Sequence, residues 1–214
     1  MSTRHYTSLD RLVLGLDQAL RTTFGPAPAA SRPNPAGTQP DSTLSEPERD
    51  LAGRLMRVNH AGEISAQALY QGQALTARAP AVRRKMKQAS IEENDHLAWT
   101  EERLRALGTH TSLLAPLWYS GSFCLGALAG LAGDKWSLGF VVETERQVVR
   151  HLGSHLAQLP DHAVQERAVL EQMKLDESQH ATTALAAGAA ELPAPVKALM
   201  QLTSKVMTRT AYWI

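Results

Sequence analysis

The chain has 214 residues, enough for one sizeable domain or for a domain with an appendage. Its 22 basic and 21 acidic side chains leave a net charge of +1, which provides no electrostatic basis for binding nucleic acid. Because Cys124 is the single cysteine, an internal disulfide and a cysteine-based metal site are both excluded. Abundant alanine and leucine, with only 5% aromatic residues, predict an all-α fold.

In chain order, the first predicted element is a short amphipathic helix. Apolar residues at positions 12, 13, 14, 16 and 20 fit one face of a helix, so residues 1–22 are predicted to form an N-terminal amphipathic segment. Residues 23–45 are rich in proline, alanine, serine and threonine, a composition typical of a mobile linker. The N-terminus has no apolar run long enough for a signal peptide, and we therefore expect the protein on the cytoplasmic side of the membrane.

The main domain is predicted to span residues 46–214. Ser45 is a favourable N-cap and Pro47 a favourable early helical residue, so the first long helix should begin here. Breaks at proline and glycine then divide the domain into six helices, over about 46–75, 80–107, 113–132, 134–158, 161–187 and 193–209. No stretch alternates convincingly with period 2, and no sheet is predicted.

A duplicated pattern of glutamate and histidine runs through these helices. Two Glu-x-x-His pairs lie 84 residues apart, and each follows a helix with a lone glutamate on an apolar face, 30 residues earlier in the first half and 32 in the second. Each half is therefore a helical hairpin, and two hairpins make a four-helix bundle. The six residues are Glu63, Glu93 and His96 in the first half and Glu145, Glu177 and His180 in the second. Candidates for orienting these side chains are Tyr70, Asp95 and Asp176.

Helical periodicity places this set in the interior. A spacing of three residues puts Glu93 and His96 on one helix face, and the second pair follows the same rule. Glu145 is chosen over Glu143 because valines and leucines surround it at helical spacing, whereas Glu143 is predicted to face solvent. A buried carboxylate must be neutralised or bind a cation, and two divalent ions would balance the negative charge of four carboxylates. Carboxylate and imidazole ligands without thiolate favour iron or manganese over zinc or copper.

One long stretch of the chain carries no charge. Between Arg105 and Asp134 there is no Asp, Glu, Lys or Arg, and the middle of this stretch is strongly apolar. Its length approaches that of a membrane span, but proline and glycines interrupt it, and a single span would put the two halves of the bundle on opposite sides of the membrane. A transmembrane helix is therefore rejected. Two interpretations stay open: a buried crossover helix whose glycines permit close packing, or an apolar helix embedded in one leaflet.

Several segments of the chain resemble one known family. The segments are RVNHAGEISA (57–66), EENDHLAW (92–99), PLWYSGSFCLGALAGLAGDKW (116–136), VVETERQVVRHL (141–152) and LDESQH (175–180). They are similar to the demethoxyubiquinone hydroxylase family, whose members are 2-polyprenyl-3-methyl-6-methoxy-1,4-benzoquinol monooxygenases of ubiquinone biosynthesis. The resemblance covers about residues 50–214.

This resemblance implies a ferritin-like four-helix bundle with an added membrane-interacting apolar helix. It further implies two iron ions held by the six residues above, O2 as co-substrate, ring hydroxylation of demethoxyubiquinol, and NADH or the quinol as reductant. His151 matches a family histidine proposed to help pass electrons from the quinol to iron. Expected partners are the polyprenyl quinol, further copies of the chain, other ubiquinone-biosynthesis proteins, and the cytoplasmic face of the bacterial cell membrane, to which the protein would bind peripherally.

Two other classes of function compete with this interpretation. A soluble ferritin-like di-metal oxidase or peroxidase would use the same ligands, but a storage cage has little use for the uncharged stretch, and the cysteine-rich domain usual in rubrerythrins is absent from a chain with one cysteine. A peripheral membrane scaffold would carry the Glu-x-x-His pairs by coincidence and would bind no metal. Metal analysis and liposome flotation separate the three.

Overall fold

The computed structural model describes residues 7–214, and this part of the chain is all-α, as predicted. No strand occurs among the described residues. Residues 1–6 of the predicted N-terminal segment lie outside the described residues, as do the side chains of Leu12 and Leu14. The helices are α1 (Ser8–Phe24), α2 (Glu46–Thr76), α3 (Pro80–Ala106), α4 (Ala115–Ala132), α5 (Asp134–Gln158), α6 (Val164–Ala186) and α7 (Ala194–Trp213).

Local sequence signals determine where the long helices begin and end. At the start of α2 the Ser45 N–H donates to the Glu48 carboxylate at 2.9 Å in a capping box, and Pro47 follows in the first turn. Gly108 and Gly188 follow α3 and α6 with φ of 72° and 93°, the left-handed conformation that ends a helix sharply. The predicted helices are all found, with the largest difference at α7, which continues to Trp213 rather than ending near residue 209.

Four helices pack as two hairpins around a common interior. α2 packs against α3 and α5 against α6, and α3 meets α6 across the bundle. One apolar cluster includes Met56, Trp99 and Leu170, and a second includes Tyr70 and Leu138. Burial of each large side chain contributes about 1.5–3 kcal/mol. On each of the four helices the predicted ligands lie between residues of the two clusters, so the polar site is a layer between two apolar layers.

Residues 25–45, named here the N-terminal strap, lie against the bundle. The Ala27 N–H donates to Glu101 at 2.6 Å and the Ser31 N–H donates to Asp95 at 2.6 Å, which fixes the strap along α3. A 3-10 helix over Pro35–Thr38 continues this contact onto α6. Composition predicts a mobile linker here, but it does not reveal acids on a distant helix that bind the strap. The division of the chain into 1–22, 23–45 and 46–214 stays a prediction.

α4, which contains most of the uncharged stretch, packs along α2 through small residues. A Cβ at Gly126 would collide with the backbone of Leu69, so only glycine permits this close approach. The opposite side of α4 is uncovered, and its exposed leucines, named here the apolar face, are Leu117, Leu128 and Leu131. α4 therefore shows the close packing through glycine that is expected of a buried crossover helix. It also has the uncovered apolar surface that a helix embedded in one leaflet requires. Within residues 7–214, none of the helices has the length and apolar character that a membrane crossing requires.

Candidate metal centre

The structure brings the six predicted residues together in the polar layer of the bundle. They form two groups, and within each group one oxygen or nitrogen atom from every residue lies within 4.8 Å of the others. Glu177 belongs to both groups, so its carboxylate joins them. The first group consists of Glu63, Glu93, His96 and Glu177, and the second consists of Glu145, Glu177 and His180.

Both histidines direct Nδ1 towards the carboxylates. His96 Nδ1 lies 3.0 Å from Glu93 on its own helix and 3.1 Å from Glu177 across the bundle. His180 Nδ1 lies 3.2 Å from Glu177 on its own helix and 3.4 Å from Glu93 across the bundle. Each imidazole therefore presents one ring nitrogen to carboxylates from both halves of the chain.

On its far side, each imidazole contacts an acid on the opposite hairpin. His96 Nε2 lies 2.9 Å from Asp176, and His180 Nε2 lies 3.0 Å from Glu92. A carboxylate in this position accepts the Nε2 proton, fixes the ring, and leaves Nδ1 to bind a metal. The two hairpins therefore orient each other's histidines.

Sequence reasoning finds part of this arrangement. Of the two aspartates that it marks beside the Glu-x-x-His pairs, only Asp176 contacts a histidine. Asp95 instead accepts hydrogen bonds from Ser31 of the strap. Glu92 is not predicted as a partner of a histidine, although the sequence contains a signal for this role. An acid directly precedes the glutamate in both pairs, as Glu-Glu-x-x-His and Asp-Glu-x-x-His, which indicates a repeated partner for the histidines.

The four carboxyl groups of the site fall into two pairs by their pKa. Burial raises the pKa of Glu63 well above its ordinary value, and burial together with the charge of Glu177 does the same for Glu145. Against the effect of burial, hydrogen bonds to His180 and His96 lower the pKa of both Glu93 and Glu177. Two carboxyl groups therefore hold a proton more strongly than in water, and two hold it more weakly.

The imidazoles respond to the same carboxylates. Although burial opposes it, hydrogen bonds to Asp176 and to the glutamates of its group raise the pKa of His96 well above its ordinary value. Against burial, Glu177 and Glu93 raise the pKa of His180 to about 11. Without a metal, protons on the histidines and on two carboxyl groups thus compensate the negative charge of the cluster.

The residues present fit two divalent metal ions. Four carboxylates and two neutral imidazoles carry the negative charge that two divalent ions balance, and such ions would replace the protons. Glu93 Oε1 is buried and its contact with His180 Nδ1 is long, at 3.4 Å, as expected of an oxygen placed to bind a cation. Oxygen and imidazole nitrogen donors without sulfur suit iron or manganese.

The chain matches one known protein family over most of its length. The family model described as ubiquinone biosynthesis protein COQ7 matches residues 50–211, which is well over half of the chain. The chain belongs to the COQ7 family. This membership confirms the family resemblance that the sequence segments predict, and it leaves the N-terminal strap outside the matched range.

Relatives of this COQ7-family chain share one name over their full length. The 3-demethoxyubiquinol 3-hydroxylase of Nitrosococcus oceani is 58% identical over 214 residues, which cover 100% of both chains. The protein of that name from Nitrosospira multiformis is 56% identical over 207 residues, or 97% of this chain and 99% of the relative. That from Acinetobacter baumannii is 58% identical over 211 residues, or 99% and 100%.

A cavity of about 400 Å³ reaches the second group of this COQ7-family chain from the surface. Three residues of the site region line it, namely Tyr70, Glu92 and His180. The rest of its wall is formed by apolar side chains together with Arg84, Lys85, Gln88 and Thr183. The Tyr70 hydroxyl donates a hydrogen bond to Glu145. Burial, with the charge of Glu145, raises the pKa of Tyr70 well above its ordinary value, so the phenol keeps its proton at neutral pH.

His151 lies outside both groups of the COQ7-family site. It follows Glu145 by six residues on α5, a rise of about 9 Å along the helix. Its Nε2 is buried without a hydrogen-bond partner, and its ring packs edge-on against His155 with centroids 3.9 Å apart. Burial lowers the pKa of His151 to about 4, so the ring is neutral at neutral pH. Its part in electron transfer stays a prediction.

Glu145 lies in the second group and Glu143 does not. The prediction that Glu143 faces solvent is wrong, because this residue is only 5% exposed. Gln147 donates to its carboxylate at 2.9 Å and Arg150 lies 3.4 Å away, so the two long side chains on the next turns cover it.

Proposed function

We propose that this chain is a di-iron monooxygenase that hydroxylates the ring of 2-polyprenyl-3-methyl-6-methoxy-1,4-benzoquinol, or demethoxyubiquinol, in ubiquinone biosynthesis. The observation that carries the proposal is full-length similarity to proteins named 3-demethoxyubiquinol 3-hydroxylase in a chain with a buried carboxylate and imidazole cluster. The same similarity does not favour a soluble ferritin-like di-metal oxidase or peroxidase.

In this proposal a ferritin-like bundle holds two iron ions between its hairpins. When bound, the irons would supply electrons to O2 and so provide the oxygen atom that enters the ring. The first ion would bind Glu63, Glu93 and His96, the second would bind Glu145 and His180, and Glu177 would bind both.

The side chains around the ligands prepare the site for this chemistry. Asp176 and Glu92 hold the imidazoles in the tautomer that binds metal, and Tyr70 orients Glu145 while keeping a proton beside the cavity. The two apolar clusters exclude water from both sides of the polar layer, which protects a reactive oxidant from side reactions.

The cavity suits the quinol headgroup. Its volume of about 400 Å³ lies within the range of small-molecule sites, and it combines apolar walls with a few polar groups at the inner end. Met86, Val141 and Ala184 would contact the ring, while the polyprenyl tail would leave through the open end.

The apolar face of α4 supports a peripheral position on the membrane. Leu117, Leu128 and Leu131 are each more than half exposed, and an uncovered apolar surface of this kind favours lipid or another protein chain. We place the protein at the cytoplasmic face of the bacterial cell membrane, where the tail of the substrate stays in lipid. The apolar face of α4 would also serve for contact with further copies of the chain or with other ubiquinone-biosynthesis proteins.

Electrons for the reaction would come from NADH or from the quinol itself. His151 is the candidate for assisting this transfer, because its neutral imidazole has a buried Nε2 that makes no hydrogen bond to the protein. Replacement by phenylalanine would remove that nitrogen while retaining a flat ring.

The proposal is tested by complementation. In a bacterium that lacks its own hydroxylase and accumulates demethoxyubiquinone, the wild-type chain should restore ubiquinone, as measured in extracted lipids. Glu177→Ala should fail to do so, because its carboxylate belongs to both groups.

The matched control for complementation is Glu171→Ala on the same helix. Its side chain is 59% exposed and lies outside both groups, so the variant should complement like the wild type. Purified wild type should contain two irons per chain and float with liposomes. Continued accumulation of demethoxyubiquinone in a strain that expresses folded wild-type protein would contradict the proposal.

A further inference from the structure

Arg32 of the N-terminal strap binds two acids on two different helices. Its Nε lies 2.7 Å from Asp95 on α3, and its Nη1 lies 2.8 Å from Asp176 on α6. The guanidinium also lies over the ring of Trp99, 4.9 Å from the centroid. Hydrogen bonds from Ser31 to Asp95 hold the neighbouring residue of the strap in place. Arg32 therefore has a defined position rather than a free surface one.

Two of the three side chains that Arg32 contacts also contact His96, and the third directly precedes it in the chain. Asp176 accepts from His96 Nε2 at 2.9 Å, and Asp95 is the preceding residue on α3. The ring of Trp99 packs against the imidazole with centroids 5.5 Å apart. A change at Arg32 would thus reach His96 through its hydrogen-bond partner and through its aromatic neighbour.

We infer that Arg32 is a positioning residue for the first metal group, acting through Asp176 on His96. Gln172 donates to Asp176 Oδ1 at 2.9 Å from the same helix, as Gln88 does to Glu92 in the second group, and Arg32 adds a contact to Oδ2, the oxygen that accepts from Nε2. The guanidinium thus fixes the Asp176 carboxylate in the direction in which it accepts from Nε2. The imidazole is thereby held with Nδ1 directed at the carboxylates. A strap outside the family-matched range 50–211 is thus part of the support of the metal centre. The inference rests on the proposed metal-binding function.

The second group lacks an equivalent support among the described residues. His180 Nε2 lies 3.0 Å from Glu92, whose side chain is 44% exposed. Apart from this contact, the only hydrogen bond that Glu92 receives among the described residues comes from Gln88, at 3.0 Å on its own helix. Within residues 7–214, no residue of the strap contacts Glu92. The effect of Arg32 should therefore be confined to one of the two metals.

Anaerobic release of Fe(II) from the loaded full-length protein to a ferrous chelator tests this inference. Arg32→Gln should speed the loss of one iron equivalent by roughly tenfold, the lower end of what losing the partner of a ligating histidine costs, and leave the other unchanged. Arg32→Lys should restore part of the retention, because an ammonium reaches one carboxylate but not both.

A double-mutant cycle distinguishes positioning from general stability. Asp176→Asn alone should speed the loss of the same equivalent more than Arg32→Gln does. Adding Arg32→Gln to it should change the rate less than twofold, since Arg32 acts through Asp176. The control Asn34→Ala removes two strap contacts that do not lead to His96, one to Glu102 at 2.8 Å and one from the Ala36 N–H at 3.0 Å, and it should release iron like the wild type.

Several outcomes would overturn the inference. They are unchanged release from Arg32→Gln, equal acceleration of both equivalents, full additivity with Asp176→Asn, and an equal effect of Asn34→Ala. If any of these outcomes occurs and the wild-type protein still binds Fe(II) normally, only the role of Arg32 is overturned and the proposed metal centre stands. A folded wild-type protein that binds no Fe(II) would instead overturn the metal centre and, with it, the role of Arg32.

Discussion

The two hairpins of the bundle carry the same ligand order in different surroundings. In the first, the His96 side chain is fully buried, and its partner Asp176 is also bound by the strap residue Arg32. In the second, the His180 side chain is 15% exposed and its partner Glu92 is 44% exposed, and both line the cavity that opens to the surface. One half of the metal centre is enclosed and the other half is accessible.

The repeated ligand order predicts two equivalent halves, but the difference in exposure indicates that the halves have different functions. An enclosed ligand set retains a metal, because its ligands cannot rotate away or exchange with water. An accessible ligand set brings substrate close to the reacting atoms, at the end of a concave and largely apolar cavity. In the proposed di-iron site, the shared Glu177 would couple the enclosed half, which retains its metal, to the accessible half, which meets the substrate.

Removal of the shared carboxylate has the largest expected effect. Glu177→Ala should lose both metals and lower kcat/KM by more than about 10³-fold, or ~4 kcal/mol of transition-state stabilisation. Glu145→Ala should keep the first metal, because that residue belongs to the accessible group alone. Metal analysis of each variant after anaerobic Fe(II) loading measures both results, with Glu171→Ala as the control.

If the Glu177→Ala variant retained both metals, Glu177 would not be a ligand that the two metals share. Loss of both metals by a folded Glu145→Ala protein would show that the halves bind metal as one unit, and the contrast between enclosed and accessible groups would then not extend to metal binding.

The acids behind the two histidines provide a matched pair of changes. Asp176→Asn should weaken retention of the enclosed metal by about 10- to 100-fold, since it removes a partly buried, charge-assisted partner of His96. Glu92→Gln should weaken the accessible metal by only roughly threefold, because its carboxylate is partly hydrated already. Fe(II) competition against a chelator measures both affinities. Equal losses in the two variants would mean that exposure of the acid does not distinguish the halves.

Helical periodicity predicts the six residues that the structure brings together, and their role as metal ligands stays a prediction. Glu93 and His96 share a face at any helix orientation, and the apolar neighbours of Glu145 distinguish it from Glu143. The contact of Glu92 with His180 depends on how α3 and α6 pack, which spacing along one helix does not determine. Docking of the strap depends likewise on a pairing between Arg32 and acids more than sixty residues away.

Narrowing the cavity tests whether substrate enters on the accessible side. Ala89 lines the cavity on α3, so Ala89→Phe should fill part of it and raise the KM for a long-tailed quinol by about tenfold, or ~1.4 kcal/mol, with unchanged metal content. Lys87→Phe is the control, because Lys87 is exposed on the same helix and is not part of the wall. Steady-state kinetics in lipid nanodiscs provides the measurement. An unchanged KM would mean that substrate reaches the metals by another route.

The second half also differs in carrying two buried histidines after its lone glutamate, where the first half has Leu69 and Gln73 at the same spacing from Glu63. Burial, with the charge of His151, lowers the pKa of His155 to about 3. The unfolded chain, with an ordinary histidine pKa near 6.5, therefore binds this proton between about pH 6.5 and 3 while the folded protein does not. The free energy of unfolding should fall as the pH falls through this window, by up to about 1.4 kcal/mol per pH unit from this residue.

His155→Gln should remove that contribution and make the pH dependence of stability shallower by the same amount. Glutamine retains a donor for the contact that His155 Nδ1 makes with Asn59 Oδ1 at 2.9 Å, so the variant should fold. Urea unfolding of the metal-free protein between pH 6.5 and 4.5 measures the slope, with the exposed Ser154→Ala on the same helix as control. If the wild-type and His155→Gln curves run parallel, the histidine is protonated in the folded protein, and acid sensitivity does not distinguish the second half from the first.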